Sequence, residues 1–441
     1  MTSHSTTTPQ PHSPAPTPAA PATTITFASL ALVEPLQRAL LEKNYTIPSP
    51  IQAGAIPHLL QGRDLLGIAQ TGTGKTAAFA LPILQKLAAH PAPPMSKRPR
   101  ALILAPTREL AAQIGQSFAH YGRHLNLKHT VIFGGVGQHP QVVALTRGVD
   151  ILIATPGRLK DLQQQKHVFL DKVEVFVLDE ADRMLDMGFV HDVKRIISTL
   201  PAKRQSLLFS ATMPPAVEEI AATLVHNPAR VEVTPVATTA ERIEQNVAFV
   251  DRGNKIKLLA HLVGQHPDGL VIVFVRMKHM ANKLVEQLAK HEIRAEAIHG
   301  NKSQGARTRA LDNFRSGRSR VLVATDIAAR GIDVKGISLV VNYDLPEEPE
   351  SYVHRIGRTA RAGKDGMAVA FCDDSERNLL RQVERLIRRP IPVLKDHPYE
   401  ASERKPVNDR GPLGDGIDRP HRTGSSSHRG GSGGFRPRFR R

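Results

Sequence analysis

Short runs of apolar, mostly β-branched residues recur along the first half of the chain: LLGIA at 65, ALILAP at 101, TVIF at 130, ILIATP at 151, VFVLDE at 175 and SLLFSAT at 206. Each is separated from the next by an amphipathic stretch long enough for a helix. Runs that are apolar throughout, rather than alternating with polar residues, predict strands buried on both faces, as in a parallel sheet between two helical layers. After TPVATTAE, residues 234–241, the pattern restarts with LVIVFV at 270, AEAIHG at 295, VLVATD at 321, LVVNYD at 339 and MAVAFC at 367. ILIATPGR and VLVATDIAARG look like one strand and turn used twice, a sign of internal duplication. The expected architecture is α/β, with one parallel-sheet domain over 25–233, a linker over 234–241 and a second domain over 242–395.

The ends read differently. The first 24 residues hold no Lys, Arg, Asp or Glu and are dominated by Thr, Pro, Ser and Ala, without the basic start and apolar middle of a signal peptide or the arginines of a transit peptide. At the other end a Gly-, Ser- and Arg-rich tail is expected over 396–441; from Ser402 it carries ten Lys and Arg against four Asp and Glu, 10 − 4 = +6. Neither composition can bury a core, so both ends are expected to be disordered.

Composition narrows the function classes. Hydrophobic residues make up 41% of 441, enough for packed cores, yet no apolar run approaches the roughly 18 residues that span a membrane. The single cysteine, Cys372, forms no intrachain disulfide, and no Cys/His ligand spacing is present; a reducing, cytoplasmic setting and a core position for Cys372 are expected. The net charge of +18, from 59 Lys and Arg against 41 Asp and Glu, points to a polyanionic partner, nucleic acid first.

Three strings carry chemistry. AQTGTGKT follows a strand and precedes a helical stretch, as a phosphate-binding loop requires: Gly72 and Gly74 let backbone N–H groups turn toward phosphate, Lys75 neutralises the β/γ oxygens, and Thr76 offers a hydroxyl to Mg²⁺. Ala69 stands where the general pattern has glycine. VFVLDE ends a buried strand in adjacent carboxylates. Alone that would be a solvated terminus, but beside a phosphate loop Asp179 has a cation to face and Glu180 can take a proton from water. HRIGRTARAG, 354–363, spaces Arg355, Arg358 and Arg361 three apart, one face of a helix, either to converge on an anion or to touch RNA.

With these strings in order, the chain resembles the DEAD-box ATP-dependent RNA helicases over about residues 27–390, its bacterial RhlE-like branch in particular. The resemblance implies two tandem RecA-like domains, ATP and Mg²⁺ as cofactors, and RNA, single-stranded or short duplex, as partner, in ribosomal or RNA-decay complexes. AQTGTGKT is the family's own form of the loop, Ala69 included. Phe27 and PSPIQ, with Gln52, look like the adenine-reading segment. PTREL at 106, GG at 134 and TPGR at 155 imply RNA contacts by Arg108, Gly135, Thr155 and Arg158. DEAD at 179–182 implies Asp179 for Mg²⁺ and Glu180 as catalytic base, and SAT at 210–212 implies coupling through Ser210 and Thr212, with His354 its counterpart in the second half. There, HG at 299 with Gln304, Arg307 and Thr325 resembles RNA-facing positions, Asp333 the ribose contact, and Arg358 and Arg361 the pair that reaches the γ-phosphate; Ala360 stands where glycine is commoner between them.

Because the nucleotide residues lie in one half and the arginines in the other, turnover is expected to need domain closure, with RNA and ATP favouring the same closed form. An ATP-gated RNA clamp or remodeller would use the same residues without net unwinding. A DNA helicase rests on charge alone.

Overall fold

The computed structural model describes residues 25–70, 72–233, 243–329, 334, 336–360 and 366–401. The segment 1–24, the linker 234–241 and the tail from Ser402 lie outside the described residues.

In the first half, strands β1 (Leu65–Ile68), β2 (Ala101–Leu104), β3 (His129–Ile132), β4 (Ile151–Ala154), β5 (Val175–Leu178), β6 (Gln205–Ser210) and β7 (Ala229–Glu232) form a parallel sheet in the order β3-β4-β2-β5-β6-β1-β7. The continuous apolar runs are continuous because both faces are covered. Ala101 and Ile103 of β2 pack with Phe79 and Phe118 on one side, while Leu102 and Leu104 pack with Phe176 and Leu178 on the other. The second half repeats the plan with β8 (Ile243–Phe249), β9 (Leu270–Phe274), β10 (Ala295–Ile298), β11 (Val321–Ala324), β12 (Ile337–Asn342) and β13 (Gly366–Cys372), parallel in the order β10-β11-β9-β12-β13-β8. Cys372 is buried in that core, 1% exposed.

Each sheet holds one strand more than the apolar runs suggested. β7 is a four-residue edge strand containing Arg230 and Glu232, and the apolar run in β8 is interrupted by Glu244, Gln245 and Asn246. The ordered chain also continues past 395. Leu394 N–H donates to the Val247 carbonyl at 2.8 Å and Ala401 N–H to that of Phe249 at 3.1 Å, so residues to 401 are fastened along β8, where disorder from 396 was expected. No helix among the described residues is long and apolar enough to cross a membrane.

All strands of a sheet run the same way, so the segments leaving β1, β2, β4, β5 and β6 gather along one edge, the usual place for a site in such sheets.

Candidate functional site

The phosphate loop joins β1 to the helix Lys75–Ala89. Gly74 precedes that helix with φ 92°, left-handed backbone that an L side chain rarely adopts, and a Cβ there would overlap Gln52 Nε2. Gln52 is the reason the space is full. Its Oε1 accepts from Ser49 N–H at 2.8 Å and its Nε2 donates to the Gly74 carbonyl at 3.0 Å, fixing the amide at the loop. Lys75 is 6% exposed and donates from Nζ to the Ala69 carbonyl at 2.7 Å. Thr76 is half-buried on the next position, Gly72 is exposed on the loop, and Phe27 is buried beside the helix that carries Gln52.

Asp179 leaves β5 2% exposed, and its Oδ1 has no hydrogen-bond partner. Burial pushes this carboxyl up to about 7, against the pull of the Lys75 ammonium, and the adjacent Glu180 pushes the same way. The repulsion read from the sequence is therefore present, and so is a cation opposite it. Glu180 has left-handed backbone, φ 55°, and its Oε2 accepts from Arg183 Nη1 at 2.8 Å in a pair only 4% exposed on either side.

Ser210 and Thr212, at the end of β6, meet the same turn through Asp182. Its Oδ2 accepts from Thr212 N–H at 2.9 Å, from Thr212 Oγ1 at 3.0 Å and from Ala211 N–H at 3.1 Å, and its own N–H donates to Ser210 Oγ at 3.2 Å. The last acid of the DEAD string is thus the hub that joins it to SAT, a role the sequence reading did not assign.

The first-half residues expected at RNA do come together. Arg108 starts a helix after β2, Gly135 follows β3 with φ 78°, and Thr155 and Arg158 follow β4. A Cβ on Gly135 would overlap the Arg108 guanidinium, and Arg158 Nη2 donates to the Val136 carbonyl at 3.2 Å, so two arginines grip one loop.

Gln304 and Arg307 sit on the helix Gln304–Arg315 of the second half and face the first half directly. Gln304 Nε2 donates to Glu109 Oε1 at 3.0 Å, Arg307 Nη2 pairs with Glu109 Oε2 at 2.9 Å, and Arg108 Nη1 reaches Gln304 Oε1 at 3.5 Å. Glu109 is 5% exposed and both its oxygens are taken. It was missed because nothing local marks it. Its string, PTREL, announces Arg108, while its partners are some two hundred residues away.

His299 is 2% exposed, too buried to present its ring to a strand of RNA. Asn301 N–H donates to its Nδ1 at 3.3 Å, which leaves the proton on Nε2 for Asn282 Oδ1 at 3.0 Å. The ring therefore braces its own loop against Asn282, and Thr325, whose N–H donates to the neighbouring Ile298 carbonyl at 3.3 Å, is half-buried after β11.

One expectation is corrected. Arg355 does not share a face with Arg358, because the helix Pro349–Ile356 ends between them. Arg355 turns inward, 1% exposed, with Nε and Nη2 on Asp326 at 2.6 and 2.7 Å and Nη1 on Asn342 Oδ1 at 2.9 Å. A guanidinium buried that deeply must satisfy its donors within the fold, here on the Asp326 carboxylate, which takes it away from any bound phosphate. Arg358 is buried past the helix end, His354 is half-buried on the helix, and Ala360 takes φ 53°, the region where glycine is favoured. Arg361 and Asp333 lie outside the described residues.

Comparison with known proteins agrees with this layout. The family described as DEAD/DEAH box helicase matches residues 49–220, and the helicase conserved C-terminal domain matches residues 254–363. The DEAD-box ATP-dependent RNA helicase CshA of Bacillus cereus is 42% identical over 366 residues, 83% of this chain and 69% of that protein. The ATP-dependent RNA helicase DeaD of Escherichia coli is 44% identical over 371 residues, 84% of this chain and 58% of its own length. Among solved structures, S. cerevisiae Dbp5 bound to RNA and ADP BeF3 is 33% identical with a TM-score of 0.74, covering 84% of this chain and 95% of that one. A DEAD box protein from Methanococcus jannaschii is 36% identical with a TM-score of 0.51, covering 84% and 99%. These relatives do not single out the RhlE-like branch. Two parallel-sheet RecA-like domains, the ordered motifs and these matches establish that the chain belongs to the DEAD-box ATP-dependent RNA helicase family.

Proposed function

We infer that this protein is an ATP-dependent RNA helicase, one that hydrolyses ATP on RNA and separates short duplexes locally. The observation that carries the reading is Asp179: a carboxylate 2% exposed, with one oxygen lacking a partner, in the field of the phosphate-loop Lys75. That orphaned oxygen, with the Thr76 hydroxyl, fits Mg²⁺, a hard cation that takes few protein oxygens when phosphate and water supply the rest. Bound with the nucleotide, Mg²⁺ would neutralise charge on the phosphate oxygens.

The chain's own residues do the remaining work. Gly72 and Gly74 let the loop backbone turn its N–H groups to the phosphates, and Lys75 exchanges the Ala69 carbonyl for the β/γ oxygens. Gln52 and Phe27 hold the adenine side. Glu180, steadied by Arg183, takes a proton from the attacking water as its oxygen bonds to the γ-phosphorus and the bond to ADP breaks. Arg358 and Arg361 bring cations to the γ-phosphate, and Asp333 takes the ribose. RNA lies on Arg108, Gly135, Thr155 and Arg158 in the first domain and on the segment of Gln304, Arg307 and Thr325 in the second. Ser210 and Thr212, tied through Asp182 to the Asp179–Glu180 turn, and His354 carry the state of one site to the other. The overlay on an RNA-bound relative at a TM-score of 0.74 supports reading the seam at Glu109 as part of the RNA-engaged arrangement.

The lone buried cysteine supports a cytoplasmic setting, and ribosomal or RNA-decay assemblies are the proposed source of substrate. The test is strand displacement and ATP turnover together. Lys75→Ala should lose both, while Glu180→Gln should hold RNA with ATP but not recycle. Retention of the whole RNA-holding function by Glu180→Gln, with no strand displacement by the parent, would instead favour an ATP-gated clamp.

A further inference from the structure

The helix Arg377–Ile387 closes the second domain with Leu380 and Val383 buried against the core of its sheet. Arg381, Arg385 and Arg388 all point the other way and are exposed. At about 100° per residue Arg381 and Arg385 lie about 40° apart around the helix axis, and Arg388 follows just past the helix end, where the backbone turns left-handed at φ 56°. None of the three guanidiniums has an ion-pair or hydrogen-bond partner among the described residues. The nearby acids are already engaged: Asp374 pairs with Arg377 at 3.0 Å, and Glu384 accepts from Ile391 N–H at 2.9 Å. Between Arg377 and Arg389 there are five arginines and one acid, 5 − 1 = +4.

Cations in the last turn favour any helix through its dipole, which accounts for one of them. That leaves a row of guanidiniums without an ion-pair partner among the described residues, with Glu384 the single acid set among them. We propose that this face is a second docking surface for the phosphate backbone of RNA, separate from the residues at the seam. RNA is the occupant the charge selects, given the function inferred above, on which this proposal rests: guanidinium forks match phosphate oxygens, and the arginines outnumber the one exposed apolar side chain of the helix, Leu386. Placement decides which RNA it would meet. The helix carrying Gln304 and Arg307 packs over β10 and β11, whereas Arg377 lies over the Phe249 ring of β8 at 5.0 Å, at the far edge of the same sheet. Four to five strand spacings put the stripe on the order of 20 Å from the seam. An RNA that only fills the seam does not reach it, and a longer one does.

The test compares the full chain with an Arg381→Gln/Arg385→Gln/Arg388→Gln variant, using a short oligonucleotide and a long single strand across a salt series. With the long strand, affinity should fall several-fold and the slope of log affinity against log salt should flatten by about 2, three contacts at about 0.7 each. With the short oligonucleotide both proteins should bind alike. An Arg→Lys version of the same three positions should restore the slope, which a folding defect would not. Equal slopes on the long strand would overturn the proposal, as would an equal loss on the short one. Failure of the parent chain to bind either RNA would overturn the helicase reading itself.

Discussion

Replacing Glu109 by Gln removes one charge from the seam between the two domains and leaves its shape. In the parent, Glu109 accepts from Gln304 at 3.0 Å and from Arg307 at 2.9 Å, and burial pushes the Arg307 guanidinium below its usual range while Glu109 pulls it back. Taking one partner from a buried pair costs about 3–5 kcal/mol when the other charge has to stay buried. Arg307 has an exit, since it returns to water when the domains part. The cost therefore falls on the joined arrangement, not on the fold of either domain. A hydrogen bond to a charged group contributes about 1.5–3 kcal/mol, and a middle value of about 2 shifts the balance of joined and parted forms roughly 30-fold. The assay is ATP turnover against RNA concentration in a double-mutant cycle with Arg307→Gln. Each single variant should raise the RNA needed for half-maximal turnover by about tenfold or more, and the double should be little worse than Arg307→Gln alone, which also loses an RNA contact. Thermal midpoints should stay near the parent. If the two effects add within about 0.5 kcal/mol, the pair does not couple and the seam is an incidental contact.

Gly74→Ala should raise the ATP concentration needed for half-maximal turnover by tenfold or more, because φ 92° and the Gln52 amide both exclude a Cβ; a parent-like value would show that the loop is looser than its geometry. His299 should shape the pH dependence of stability. Burial, then the nearby Lys302, Arg307 and Lys278, holds its ring below the ordinary 6.5, so the unfolded chain binds the proton first: the contribution is intact above pH 6.5 and is lost as pH falls below it. His299→Gln should flatten the thermal midpoint in that window, and an unchanged profile would assign the acid loss to other groups. Cys372, whose thiol burial pushes up to about 12, should resist alkylation in the native protein and react on unfolding; labelling at the native rate of a free thiol would put it outside the core.

What was legible in the sequence was what is local. The loop AQTGTGKT, the DEAD string and the parallel strands announce themselves because a phosphate loop needs glycine, lysine and threonine side by side, and a two-faced strand needs an unbroken apolar run. Two of the four edge strands escaped: β7 is half solvated and β8 is interrupted by polar side chains, so neither shows such a run. Residues whose meaning lies in a distant partner escaped as well. Asp182 reads as the fourth letter of a motif until Thr212 is seen on its carboxylate, and Arg355 looks like a member of an arginine row until Asp326 claims it. Spacing of three promised one helical face, but the helix stops at Ile356, and no periodicity announces where a helix gives way to a turn.

The central claim is that ATP and RNA favour the same joined arrangement of the two domains. It is tested most directly by titrating a single-stranded RNA with and without a non-hydrolysable ATP analogue, and titrating the analogue with and without that RNA. Linkage requires the two couplings to be equal, and the account predicts that each ligand tightens the other by the same factor, typically 5–150-fold for coupled sites, with the factor shrinking in Glu109→Gln. RNA affinity that does not change when the nucleotide binds would contradict it.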